Sequence, residues 1–153
     1  MPTNSSKTVT AMPEKVEQDV EQNADRLPQD VAAFLAGTRD PASFHHVDHV
    51  HAAYEILKRK PFLEAATLYS GALKVLAAKF GKTALYNETI TIAFLSLIAE
   101  HLAKSGAESF EDFISENPPL LRKAILQDWY AAERLHSPLA RRTFVLPARV
   151  DTP

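Results

Sequence analysis

Four of the six histidines, His45, His46, His49 and His51, fall within seven residues of one another at the start of the segment Phe44–Arg59. The segment has helical periodicity, with an apolar stripe of Val47, Val50, Ala53 or Tyr54, and Leu57. Ser43 stands where an N-cap belongs. On such a helix His46 and His49 share a face and flank the stripe, so both imidazoles point inward. His45 replaces His46 as the neighbour of His49 if the helix begins one residue earlier. Asp48, His51, Glu55 and Lys58 fall mostly on the side towards water. Two neutral imidazoles held at this spacing suit a transition-metal ion, yet two ligands are not a site, and a third must come from another element. The competing reading is a pair of half-buried, hydrogen-bonded histidines at a helix start, with no ligand.

A second chemical stretch is Tyr86, Asn87, Glu88 and Thr89. Glu88 shares a helical face with Thr91, Ile92, Leu95 and Ala99, which is mostly apolar. A carboxylate there needs a metal ion, a histidine or an arginine, because an unpaired buried charge is costly. Alternatively it sits half exposed against the helix dipole. Asn87 is a poor zinc ligand but can hydrogen-bond a substrate or a bound water. A third stretch gathers Arg134, His136, Arg141 and Arg142 around Ser137 and Pro138. Free N–H groups at the start of a short helix, together with Arg134, suit a carboxylate or phosphate. The alternative pairs Arg134 with a carboxylate at the core edge, Glu88 among the choices. Tyr130 reads as core or as a substrate platform, and Trp129 as core. His101 lies along the same helix as Glu88 at a rise of about 20 Å, too far to share a site through that helix, and reads as structural.

Composition limits what these stretches can serve. At 153 residues, 46% apolar and 24% charged, the chain suits one globular domain with a single core. The net charge of −2 gives no reason to expect nucleic acid or an anionic membrane as partner. Without cysteine there are no disulfides, thiolate metal sites or cysteine nucleophiles, which fits a reducing cytoplasm. The longest apolar run, Ile90–Ala99, is too short to span a bilayer, and no signal peptide is expected. A P-loop, a dinucleotide fingerprint and a G-x-S-x-G elbow are all absent.

The elements expected to position these residues are all helical. Residues 1–27 are polar and read as a flexible tail, with room for a short helix within Glu14–Ala24. Pro28–Ala36 forms a first helix with Val31, Phe34 and Leu35 inward. After the histidine helix, Lys60 and Pro61 break the chain. Phe62–Phe80 then runs with Phe62, Ala65, Tyr69, Leu73, Leu76 and Phe80 on one face, ended by a left-handed Gly81. A central, buried helix starts at Thr83 or Ala84 and runs to about Lys104. Ser109 caps a short helix to about Ser115. Asn117, Pro118 and Pro119 open another, with Leu120, Leu121, Ala124, Ile125 and Leu126 in or near the core and Trp129 and Tyr130 anchoring its end. Ser137 and Pro138 start a last turn through Arg142. Phe144, Val145 and Leu146 pack as an extended segment. The expectation is an all-α, single-domain bundle of five to six helices over residues 28–147, with residues 148–153 as a C-terminal tail.

Several of these motifs together resemble a family of small uncharacterised all-helical bacterial proteins. They are the H-x-x-H-V start at His46, the pair Pro61 and Phe62, the run Tyr86 to Thr91, and Tyr130, Glu133, Arg134, Leu135, Ser137, Pro138, Ala140 and Arg141. The resemblance spans roughly residues 42–147. It implies a Y-H-E-T helix start and a composite cluster of three histidines and a glutamate. This chain departs from it at Asn87, where the pattern has histidine. In the cluster so implied, His46, His49 and Glu88 hold a divalent transition metal, zinc or iron, with water in the open position. That water can act as nucleophile, or Glu88 can act as general base beside the metal. Arg134, Asn87 and Tyr130 then bind substrate. The first functional expectation is a metal-binding protein, a metal-dependent enzyme on a small polar or anionic substrate. The alternative is a non-catalytic helical module that binds a small ligand or a partner and uses the His/Glu/Arg cluster as a structural hydrogen-bond network. The oligomeric state is left open.

Overall fold

The computed structural model describes residues 26–150. The expected N-terminal tail, and the short helix within Glu14–Ala24, therefore lie outside the described residues but for Arg26 and Leu27. Among the described residues the chain is a single all-α domain without strands. Its helices are α1 (Gln29–Ala36), α2 (His46–Arg59), α3 (Phe62–Lys79), α4 (Glu88–Lys104), α5 (Phe110–Glu116), α6 (Ala132–Leu135) and α7 (Pro138–Arg142). Four 3-10 turns, Pro41–Ser43, Thr83–Leu85, Pro118–Leu121 and Ile125–Asp128, join them. No helix among the described residues is long and apolar enough to cross a membrane.

Local chemistry accounts for most boundaries. Gly37 and Gly81 adopt φ of 72° and 66°, the left-handed region that a side chain disfavours, and each ends its helix. Beyond α3 the Gly81 N–H bonds the Ala78 carbonyl and the Lys82 N–H the Ala77 carbonyl, the paired closure of a Schellman motif. Ser109 caps α5 by accepting from the Asp112 N–H, and Ser137 caps α7 through the Ala140 N–H.

Three boundaries differ from expectation. Ser43 does not cap α2: its hydroxyl donates to the Asp40 carbonyl inside the preceding turn. His45 takes the N-cap position, and its N–H is bonded by Asp48 Oδ2 at 2.8 Å. The core face of α2 is Val50, Ala52, Ala53, Tyr54 and Ile56, and Val47 is exposed. Asp48, His51 and Glu55 are not free in water, for Asp48 pairs with Arg39, His51 with Asp30 and Glu55, and Glu55 with Arg59. The central helix begins at Glu88, because Asn87 turns the chain in and caps it. Finally, residues 118–130 form two 3-10 turns and not one helix. Pro118 and Pro119 bring no N–H groups, and the Leu120 carbonyl is taken by a side chain of α2. Tyr130 is buried as core, but Trp129 is 52% exposed. Of the extended segment Val145 is buried, while Phe144 and Leu146 are exposed.

α4 lies at the centre, against α2, α3 and α7. Leu95 and Ile98 on it are fully buried, as are Val50 and Ala53 on α2 and Ala65 on α3. The C-terminal segment closes over the first turns of α4. Asn87 Nδ2 donates to the Leu135 carbonyl at 2.6 Å. Thr89 Oγ1 donates to the Thr143 carbonyl at 2.8 Å and accepts from the Val145 N–H at 3.0 Å. Tyr130 donates its hydroxyl proton to the Val145 carbonyl, and Arg141 bonds the Ala84 carbonyl.

Candidate functional site

The first turns of α2 hold His46 and His49 against α3 and α4, and the two imidazoles have different partners. His46 Nε2–H donates to the Leu120 carbonyl at 3.0 Å, so its proton is on Nε2. Its ring stands 5.5 Å from that of Phe94. His49 Nδ1 shares a hydrogen bond of 3.0 Å with the Tyr69 hydroxyl, and its ring leans on Phe44 at 4.4 Å. Burial, and secondarily the neighbouring His46, push the His49 pKa down to about 4, against the weaker pull of Asp48. The imidazole is therefore neutral at pH 7. Among the described residues its Nε2 has no hydrogen-bond partner.

His49 stands between two cavities. The larger, about 280 Å³, opens between α3 and the start of α4. Its wall is apolar over most of its extent, from Phe44, Leu73, Leu76, Phe80 and Ile90, with Lys82 and Leu85 towards solvent. The smaller, about 180 Å³, is walled by both histidines, Tyr69, Thr91 and Phe94, with Lys123 at its edge. His49, Leu73, Ile90 and Thr91 line both. Each alone is smaller than a typical small-molecule site, and only the two together reach that size.

Glu88 does not reach this place. Its Oε1 accepts from the Tyr86 hydroxyl at 2.7 Å, and it lines neither cavity. Burial first, and the Glu88 carboxylate second, push the Tyr86 pKa up to about 12. Asn87 touches the larger cavity, but both ends of its side chain are engaged within the fold: Oδ1 accepts from the Ile90 N–H, and Nδ2 donates to Leu135. Arg134 is exposed and donates from Nε to the Leu146 carbonyl at 2.7 Å, and among the described residues no carboxylate pairs with it. Tyr130 lines a separate cavity beside Trp129 and Phe144. His101 is structural, with Nδ1 at 2.8 Å from Asn117 Oδ1. The structure thus brings His46 and His49 together with Tyr69 and leaves Glu88, Arg134 and Tyr130 elsewhere. Among the described residues, no three His, Cys, Asp or Glu side chains are grouped so that they could hold a metal ion.

Sequence reasoning missed Tyr69 as a site residue. Its signal was present, since a tyrosine on the inner face of an amphipathic helix carries a hydroxyl that must find a partner. Phe44, Leu73, Ile90 and Thr91 gave no chemical signal. Comparison with protein-family models, curated proteins and solved structures gave no match to the chain.

Proposed function

We propose that this domain is a non-catalytic, cytoplasmic binding module for a small, mainly apolar molecule that carries one hydrogen-bonding group. The molecule occupies the paired cavities and bonds His49. The observation that carries this reading is the half-buried, neutral imidazole: Nδ1 is fixed by Tyr69, and among the described residues Nε2 is without a partner beside an apolar wall. A polar group held in apolar surroundings gives orientation and specificity, while the wall gives affinity. His46, tied to Leu120, supports the floor of the site.

The test is a titration with an apolar fluorescent anion, anilinonaphthalene sulfonate, followed by displacement with medium-chain fatty acids. We expect saturable binding at one site. Leu73→Trp, which fills the space common to both cavities, should weaken binding on the order of tenfold or more. His49→Phe should weaken ligands with a hydrogen-bonding head more than plain hydrocarbons. Binding that is unsaturable, or unaffected by Leu73→Trp, overturns the reading.

The metal-dependent reading would require Glu88 to leave Tyr86, and His46 to exchange the Leu120 carbonyl for an ion. Elemental mass spectrometry on tag-free protein, with His49→Ala and Glu88→Ala beside it, distinguishes the two. We expect no stoichiometric metal, and near-stoichiometric zinc or iron lost in both variants would establish the metal centre instead.

A further inference from the structure

α3 carries apolar side chains on the side it turns outward as well as on the side it buries. Leu63, Leu68 and Val75 are 79%, 40% and 46% exposed, and Thr67, Gly71 and Ala78 are exposed among them. The charged side chains of this side have partners in their own chain. Glu64 pairs with Lys60 at 3.4 Å, Lys74 lies over the Tyr86 ring at 4.9 Å, and Lys79 donates to the Gly37 carbonyl. Gly71 lies at the middle of the strip, and a Cβ added there would meet nothing within 4 Å. Among the described residues no contact asks for glycine at this position, where it weakens the helix. Glycine is suited to places where a second backbone comes close.

We propose that this face of α3 packs antiparallel on the same face of a second copy of the chain, about a two-fold axis beside Gly71. An isologous contact needs a self-complementary patch, and the strip is nearly symmetric about its midpoint. Charge selects the direction. Glu64 lies near one end of α3, and Lys74 and Lys79 near the other. A parallel pair sets Lys74 and Lys79 of each copy beside the same lysines of the other, whereas an antiparallel pair sets them towards the end where Glu64 and Lys60 balance each other. Phe80 and Leu85, which line the larger cavity, lie outside the strip, so pairing leaves that cavity open.

The absence of cysteine makes the test direct. Single Gly71→Cys and Leu63→Cys variants of the full chain are oxidised under the same conditions, and the unaltered chain is followed by sedimentation velocity over a concentration series. We expect a concentration-dependent dimer that Leu68→Glu abolishes with helical content unchanged. Gly71→Cys should cross-link on the order of tenfold faster than the more exposed Leu63→Cys. In an antiparallel pair crossing at Gly71 the two Leu63 positions lie roughly 24 Å apart along the helices. A monomer at every concentration overturns the proposal and assigns the strip to another partner or to residues 1–25. Equal or faster cross-linking at Leu63, or a dimer that survives Leu68→Glu, also overturns it.

Discussion

His49 makes the interior of this domain sensitive to acid. Its pKa in the fold is about 4, against an ordinary value of 6.5. Above pH 6.5 both folded and unfolded chains carry it neutral, so it adds no pH dependence there. As the pH falls from 6.5 towards 4, the unfolded chain takes up a proton that the folded chain refuses. Stability declines through that window and levels off below it, by at most roughly 3 kcal/mol. His51 works in another window. Its bond to Glu55 raises its pKa against burial, with Asp30 assisting, so its contribution is present below pH 6.5 and is lost as the pH rises through the raised value. Urea unfolding of the native chain and of His49→Gln, at about pH 7 and about pH 4.5, separates the two: the variant should lose less stability on acidification. Tyr69→Phe leaves His49 Nδ1 without its partner and should cost about 1–3 kcal/mol in the same measurement.

At the scale of elements, Asn87 does the work of a hinge pin. Its Oδ1 caps α4 and its Nδ2 ties the C-terminal segment to that cap. Asn87→Ala should therefore lose about 1–3 kcal/mol, more than an ordinary cap, while Asn87→Asp keeps the capping oxygen, loses the donor to Leu135, and should fall between. Thermal unfolding of the three chains checks the order. The elements themselves were largely readable from the residues. Ser109, Ser137 and Gly81 mark ends that the chain does adopt, and the apolar centre of α4 identifies the buried helix. What could not be read depends on partners distant in sequence. The spacing of Leu120, Ile125, Leu126 and Tyr130 suits a helix, but His46, 74 residues away, takes the Leu120 carbonyl. The same holds at the site. The positions of His46 and His49 follow from local spacing, but whether Glu88 turns to them or to Tyr86 depends on how α4 begins, and Asn87 sets that start at Glu88 and not at Thr83 or Ala84. The histidine pair was legible, and the site around it was not.

At the scale of the molecule, the segment from Tyr130 to Leu146 closes on the beginning of α4, where Asn87 and Thr89 serve two partners each. Thr89 is fully buried, and its hydroxyl holds both Thr143 and Val145. Thr89→Val keeps the shape and leaves two backbone groups unpaired, so we expect a loss of about 2–4 kcal/mol and faster amide exchange over residues 143–146, measured by mass spectrometry. This closure also orders events in time. A ribosome delivers α4 before the 42 residues from Ser105 to Leu146 that complete its surroundings. At typical rates of synthesis, roughly 2–8 s pass before the last of them is made. For that interval the central helix of the domain has α2 and α3 to pack against, but neither Leu135, Thr143 nor Val145. The nascent chain is therefore most exposed to chaperone capture, and to aggregation, in the interval before Leu146 is made.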